Sequence, residues 1–261
     1  MKENKATWIK EQLAGFLAAL RFLTVIPVKW NADQDGDYFK QSLLFFPIIG
    51  LLIGTAGYLL TLFTMCFFPQ PVVACIVVCY LAFISGCLHL DGLSDSGDGL
   101  LSSRPRDRSM EIMKDSRVGA MGVIVTVVVL LAKFSALISI EAEQLAVAVF
   151  FMPLAGRVSI LCAMAVLPYA RTEGGIGALF YSNAVKRLAV FGFFILAGAL
   201  IVFASGRLVI VFLMLLTVFY FFNNWCKTKI GGATGDTLGA NCELAEMTVA
   251  LAFSATFSFL S

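Results

Sequence analysis

Long uncharged stretches alternate with short polar connections along most of the chain. A membrane-spanning helix needs about 20 mostly apolar residues. Seven stretches approach this length, at 43–67, 72–90, 119–140, 145–167, 188–204, 208–225 and 245–260. Residues 12–28 are also apolar, but they contain Arg21 and end at Pro27, so we expect an interfacial or partly inserted helix there. The pattern predicts an all-α, polytopic membrane protein with about seven transmembrane helices and this N-terminal interfacial helix.

The composition supports this fold class. Of the 261 residues, 59% are hydrophobic and 14% are charged, whereas soluble domains carry about 25% charged residues. Long apolar runs with only 7 prolines favour helices over a barrel, whose strands appear as short alternating segments. No linker divides the chain, so we expect one integral membrane domain over 1–261, in contact with the lipid bilayer and with no nucleic acid.

Basic residues collect in alternate connections. The N-terminal segment and three loops are rich in Lys and Arg; these loops are 102–118, 168–187 and 226–244. The intervening connections contain one Arg among them, and they are 68–71, 141–144 and 205–207. Because Lys and Arg accumulate in cytoplasmic loops, we expect the first group on the cytoplasmic side of a bacterial inner membrane.

The stretch HLDGLSDSGDG, at 89–99, ends an apolar run in a cluster of acids. Asp91, Asp95 and Asp98 are spaced i, i+4, i+7, which places them within about 60° of one another on a helix. Clustered carboxylates without thiolates suit a hard cation, Mg²⁺ before Mn²⁺ or Ca²⁺. A solvated helix end at the membrane surface is the alternative, although the glycines of this stretch would weaken such a helix. His89 is the one histidine of the chain. A structural role and a part in the chemistry of the acidic cluster are both open for it.

A second acidic cluster is GGATGDTLGANCELAE, at 231–246. Asp236 and Glu243 share a helix face at i, i+7, and Glu246 follows three residues later. Two carboxylate sets that face one pocket hold two metals, or one metal and a general base. The glycines, spaced four apart, are equally typical of tight helix packing.

A basic loop, SSRPRDRSMEIMKDSRVGAMG at 102–122, lies between the two clusters. The positive-inside rule explains part of its charge. Because Arg binds phosphate oxygens in pairs, the loop also suits a phosphate clamp beside metal-binding acids, as a diphosphate substrate requires.

Two basic residues fall inside predicted spans. Arg157 lies about mid-span, where an ionisable group is costly, so we expect it to face inward to a partner or ligand. Lys133 is nearer a span end, and we expect its side chain to extend outward to the membrane surface.

The motifs HLDGLSDSGDGL, MEIMKDSRVGAMG and GGATGDTLGANCELAE resemble the cobalamin synthase family in order and spacing. The resemblance implies adenosylcobinamide-GDP ribazoletransferase activity. In that reaction α-ribazole, or its 5′-phosphate, is joined to adenosylcobinamide-GDP, GMP is released, and Mg²⁺ is required. A homo-oligomer, or association with other corrinoid-assembly enzymes, is compatible with this role.

With that chemistry, we expect Mg²⁺ to be bound by the carboxylates of both motifs, namely Asp91, Asp95, Asp98, Asp236 and Glu243. Candidates for accepting the proton from the attacking hydroxyl are Asp98 and Asp236, with His89 a weaker one. The residues expected to clamp phosphates are Arg104, Lys114 and Arg117.

Three other functions remain open. CDP-alcohol phosphotransferases also carry spaced aspartates, but their Asp-Gly-x-x-Ala-Arg pattern is absent after Asp91. A prenyltransferase with Asp-rich motifs is another. A divalent-cation transporter would place its carboxylates near the bilayer midplane, whereas these lie at the ends of spans.

Overall fold

The computed structural model describes residues 2–28, 35–171, 181–182 and 184–256. Its helices, in chain order, are α1 (Lys2–Leu23), α2 (Asp35–Ser42), α3 (Phe46–Met65), α4 (Gln70–Ile84), α5 (Leu88–Leu101), α6 (Arg106–Ile112), α7 (Ala120–Ser139), α8 (Ala142–Val166), α9 (Val185–Phe203), α10 (Leu208–Ile230) and α11 (Gly235–Ser254). Short 3₁₀ turns, Leu43–Phe45 and Ser205–Arg207, precede α3 and α10. The described ranges contain no strand, only an isolated bridge between Tyr169 and Ala233. The all-α prediction is confirmed.

Five helical segments are long and apolar enough to cross a membrane. They are Tyr38–Met65, Ala120–Ser139, Ala142–Val166, Val185–Phe203 and Ser205–Ile230. A sixth span results if α4 and α5, bent by 87°, count as one broken span. The predicted number of seven is therefore not confirmed. Of the predicted last span, residues 257–260 lie outside the described ones.

The predicted span 72–90 is broken because the backbone turns between α4 and α5. Gly86 and Cys87 both have a φ of 59°, a left-handed conformation that glycine adopts easily and other residues rarely. The carbonyl of Ile84, at the end of α4, accepts a hydrogen bond of 2.8 Å from the Val25 N–H. The segment after α1 thus caps the end of α4 at the bend.

Helix α8 forms the centre of the bundle, and 78% of its most apolar 18-residue stretch is buried. Helix α3 approaches it through glycines. A Cβ at Gly54 would overlap the Phe150 carbonyl oxygen at 2.2 Å, and one at Gly50 would lie 2.9 Å from the Pro153 carbonyl oxygen. Only glycine permits backbones to pack this closely.

Three of the basic loops meet at one end of the bundle, which we call the basic end. Arg106 donates hydrogen bonds to the carbonyls of Ala170 and Ile230, at 2.9 and 2.8 Å. Lys229 donates to the carbonyls of Ser102 and Arg104, at 2.6 and 2.8 Å. The loops 102–118, 168–171 and 226–234 therefore share one end, as the alternation of charge predicts.

Helix α11 connects the basic end with the opposite end. It begins at Gly235, ten residues before the predicted start at 245, and it packs against α5, α7 and α8. Just beyond its last turn, the Ala255 carbonyl accepts a hydrogen bond from Arg207, which also donates to Gln144. Most of α11 is buried among other helices, so its carboxylates lie inside the protein.

Candidate active site

A cavity of about 310 Å³ lies at the basic end, where α5, α8 and α11 meet. Its polar wall consists of His89, Asp91, Arg171 and Asp236. Its apolar wall consists of Phe22, Phe46, Leu88, Ile160, Met164, Tyr169 and Leu238. Residues of both acidic motifs thus line one cavity.

Helices α5 and α11 cross at glycines that line the cavity. A Cβ at Gly92 would lie 2.7 Å from the Asp236 carbonyl oxygen and 3.0 Å from its Cα. A Cβ at Gly239 would lie 3.3 Å from the Cα and the carbonyl oxygen of His89. This approach, which side chains would prevent, brings Asp91 alongside Asp236.

Asp91 and Asp95 present free carboxylates. Asp91 is exposed and Asp95 is half-buried, one turn further along α5. Within the described part of the chain, neither carboxylate makes a hydrogen bond or an ion pair. Asp91 and Asp236 line the cavity, and Asp95 lies one helical turn beyond Asp91 on α5. We call these three residues the cavity acids.

Asp236 accepts hydrogen bonds from two side chains. Its Oδ2 accepts a hydrogen bond of 2.6 Å from Arg171 Nη2 and one of 3.2 Å from Thr234 Oγ1. Thr234 also caps α11, with reciprocal bonds to Thr237. Burial raises the pKa of the Asp236 carboxyl, while Arg171 and Thr234 oppose that rise.

Arg171 is a site residue that the patterns of the sequence did not indicate. In the sequence it contributes to the charge of the basic loop 168–187. It also directly follows an apolar stretch, on the side that carries both acidic motifs. That position is the one signal that could have identified it.

Asp98 is used differently from the other acids of its motif. It accepts hydrogen bonds from the N–H groups of Gly119 and Gly122, at 2.7 and 2.8 Å. A Cβ at either glycine would overlap this carboxylate. Asp98 therefore caps the first turn of α7, and its roles as a metal ligand and as a base stay predictions.

Glu243 also has a partner inside the bundle. Lys133 Nζ donates to Glu243 Oε2 and to Glu246 Oε2, both at 2.7 Å, and Arg157 donates to Glu246 Oε1. These four residues, which we call the buried tetrad, are at most 2% exposed. Because a carboxylate so deeply buried requires a cation, Glu243 is bound to Lys133. It does not line the cavity, and its role as a metal ligand stays a prediction.

The buried tetrad shows where the two basic side chains inside the predicted spans point. Arg157 faces inward to a partner, Glu246, as predicted. The prediction that Lys133 extends outward is wrong, because its amine lies between two glutamates inside the bundle.

The three predicted phosphate-clamping residues, Arg104, Lys114 and Arg117, are exposed and do not line the cavity. Arg117 is paired with Asp115 at 2.7 Å, and its hydrogen bonds lower the pKa of that carboxyl to about 2. Their phosphate-binding role stays a prediction. His89 is buried and lines the cavity.

The cavity acids fit a divalent cation only in combination with a substrate. No group of three His, Cys, Asp or Glu side chains among the described residues is arranged to hold a metal. Mg²⁺, however, typically uses one or two carboxylates, with water and substrate phosphates as its remaining ligands. The free carboxylates of Asp91 and Asp95 satisfy this requirement.

The fold and the cavity together define an all-α membrane protein with an acid-lined cavity at the basic end of its bundle. The family model described as Cobalamin-5-phosphate synthase matches residues 15–254. The chain belongs to this family, a family of transferases of cobalamin biosynthesis. This membership displaces the phosphotransferase, prenyltransferase and cation-transporter alternatives.

Similar proteins carry one name, adenosylcobinamide-GDP ribazoletransferase. The protein of Clostridium botulinum strain Okra is 35% identical over 244 residues, which cover 93% of this chain and 98% of the relative. That of Thermoanaerobacter pseudethanolicus is 31% identical with the same coverage. That of Clostridium acetobutylicum is 34% identical over 231 residues, 86% of this chain and 89% of the relative. No solved structure matches the chain.

Proposed function

We propose that this chain is an adenosylcobinamide-GDP ribazoletransferase. It transfers the adenosylcobinamide phosphate moiety of adenosylcobinamide-GDP to α-ribazole, or to α-ribazole 5′-phosphate, and releases GMP. The observation that carries this proposal is the nearly full-length match to relatives of that name, 98% of the first one. The cavity at the basic end supports it, since its wall combines the carboxylates of Asp91 and Asp236 with the cation of Arg171.

In this reaction a ribose hydroxyl of α-ribazole attacks the phosphorus that carries the cobinamide. The phosphoanhydride bond breaks, a phosphodiester forms, and GMP leaves with the bonding electrons. The hydroxyl proton passes to a base of the protein. Asp236 suits this role because it lines the cavity and burial raises its pKa. His89, in the same wall, is the second candidate.

Asp91 and Asp95 would hold Mg²⁺, with phosphate oxygens of the substrate among the remaining ligands. When bound, the ion supplies positive charge that stabilises the diphosphate and the leaving GMP. The two carboxylates are one helical turn apart on α5, so one rigid element orients both.

The size of the cavity limits what enters it. About 310 Å³ is at the lower end of the range for ligand pockets, and a corrin ring with its substituents exceeds this volume. The cavity therefore takes the diphosphate and a ribose, and the corrin ring stays at the mouth, against the bilayer surface.

Reconstitution tests this function. Purified protein in lipid nanodiscs is given adenosylcobinamide-GDP, α-ribazole and Mg²⁺, and the product is identified by mass spectrometry. We expect adenosylcobalamin and GMP in equal amounts, and a strongly reduced yield without divalent cation. A preparation that folds and binds GDP but forms neither product would contradict the proposal.

We further propose that the basic end faces the cytoplasm of a bacterial inner membrane, and that the active site opens there. Single cysteines at Arg108 and Glu143, at the two ends, would be labelled with a membrane-impermeant maleimide in a variant lacking exposed native cysteines. In intact spheroplasts only the Glu143 position should react; labelling of the Arg108 position would reverse the orientation. Association with a second copy or with other corrinoid-assembly enzymes stays a prediction.

A further inference from the structure

Arg171 is the one Lys or Arg among the described residues that line the cavity. Its guanidinium contacts Asp236 at 2.6 Å, and the side chain is 19% exposed. Its Nε atom is fully buried and has no hydrogen-bond partner within the described ranges. A buried donor without a partner is unfavourable, so this cation retains binding capacity inside the cavity.

The backbone around Arg171 is fixed. The Ala170 N–H donates to the Ala233 carbonyl at 2.8 Å, and the Ala233 N–H donates to the Pro168 carbonyl at 2.9 Å. Arg106 binds the Ala170 carbonyl. Arg171 is thus held next to the start of α11, and its position does not depend on its own ion pair.

Other arginines at the basic end are already committed elsewhere. Arg106 binds two backbone carbonyls, Arg108 pairs with Glu111, and Arg117 pairs with Asp115. Of these side chains none lines the cavity. A diphosphate in the cavity would bring negative charge next to the cavity acids, and Arg171 is the described side chain placed to offset it.

We propose that Arg171 binds the diphosphate of the substrate and that its ion pair with Asp236 opens when the diphosphate enters. This inference rests on the proposed function. A guanidinium binds two phosphate oxygens through its planar fork, so the phosphate competes with Asp236 for the same donors. The exchange leaves the Asp236 carboxylate unpaired beside the reacting hydroxyl. In the absence of substrate, Arg171 keeps this base neutralised.

The first test compares R171Q with R108Q, in which an exposed arginine that already has an acidic partner is replaced. We expect R171Q to raise KM for adenosylcobinamide-GDP at least tenfold and to leave KM for α-ribazole within about twofold. R108Q should match the wild type in both. R171K, which keeps the charge but loses the fork, should lie between them. A KM for adenosylcobinamide-GDP that is unchanged in R171Q would overturn the proposal.

The second test uses binding of GDP with Mg²⁺, measured by calorimetry on the full-length protein in nanodiscs. R171Q should bind GDP at least tenfold more weakly than the wild type. D236N, which removes the competitor for Arg171, should bind GDP more tightly although its turnover falls. If D236N binds GDP no more tightly than the wild type, the competition is absent and the opening of the ion pair is refuted.

These measurements separate the two proposals. A wild-type protein that binds GDP in an Arg171-dependent manner but makes no cobalamin would refute the proposed function alone. A wild-type protein that makes cobalamin, with R171Q indistinguishable from it, would refute the role of Arg171 alone. The thermal midpoint of each variant shows whether it is folded.

Discussion

Helix α11 carries two sets of carboxylates with opposite surroundings. Asp236 belongs to the cavity acids, two of which, Asp91 and Asp236, line the cavity together with one cation, Arg171. Glu243 and Glu246, two to three turns further along, belong to the buried tetrad, where two carboxylates meet two cations. The depth of burial explains the contrast, because a carboxylate in the interior must be paired, while one at a cavity can remain free to bind a ligand. The same residue type at regular spacing thus supports structure at one level of the helix and chemistry at the other.

The largest effect on stability is expected from breaking the buried tetrad. E246Q leaves Lys133 and Arg157 with one glutamate between them, and loss of one partner of a buried pair costs about 3–5 kcal/mol. The free energy of unfolding, from SDS titration in mixed micelles, should fall by that amount. E143Q, at an exposed glutamate on α8, is the control and should leave it unchanged.

A balanced change of the same cluster sharpens this prediction. K133M combined with E243Q removes one charge of each sign and leaves Arg157 paired with Glu246. The double variant should be more stable than the sum of the single changes predicts, by about 1–3 kcal/mol. Strict additivity would show that Lys133 and Glu243 do not act as a pair.

The second largest effect is expected at the crossing of α5 and α11. A Cβ at Gly92 would lie 2.7 Å from a backbone oxygen of α11, so G92A must push the helices apart, at a cost of about 1–3 kcal/mol. Turnover should fall at least tenfold, since Asp91 and Asp236 separate. G198A, at a glycine with open space around it, is the matched control. Wild-type turnover in G92A would mean that the crossing adapts without altering the site.

A smaller loss of stability is expected for D98A. The change removes the acceptor for two N–H groups at the start of α7, and loss of such a cap costs about 0.5–2 kcal/mol. The Mg²⁺ concentration that gives half-maximal activity should stay near the wild-type value. A large increase in that concentration would instead support the prediction that Asp98 is a metal ligand.

The smallest effect on stability, and a large one on activity, is expected for D91N. Its carboxylate is exposed and has no partner among the described residues, so the free energy of unfolding should change by less than about 0.5 kcal/mol. Turnover should fall by about 10²-fold or more, as when an electrostatic contact to a transition state is lost. If D91N were as destabilised as E246Q, the contrast between the two sets of carboxylates would disappear.

Much of the fold could be predicted because apolar runs and charge alternation are local properties of the chain. The bend at Gly86 and Cys87 could not, because the apolar run continues through it and only the backbone conformation turns the chain, by 87°. The start of α11 at Gly235 could not be predicted either. Asp236 and Glu243 interrupt the apolar pattern there, and only their partners on other helices allow them to lie in one continuous helix.

In the site, too, local spacing could be predicted and contacts between helices could not. Spacing placed Asp91 and Asp236 on suitable helix faces, and the structure brings both to one cavity. Spacing also grouped Glu243 with Asp236, because the two do share a face of α11. What distinguishes them is Lys133, which lies 110 residues away in the chain. A periodicity within one helix contains no information about a cation supplied by another.

The charges of α11 also have a consequence for how the protein is assembled in the membrane. Carboxylates at the centre of a helix oppose its entry into lipid, so α11 inserts poorly as an independent segment. Lys133 and Arg157, on α7 and α8, are synthesised earlier and are in turn unfavourable in lipid until α11 arrives. Insertion of α11 and neutralisation of these two cations are therefore one step of biogenesis, and the same step delivers Asp236 to the cavity. A chain that fails to insert α11 lacks the partners of two buried cations and one wall of its active site.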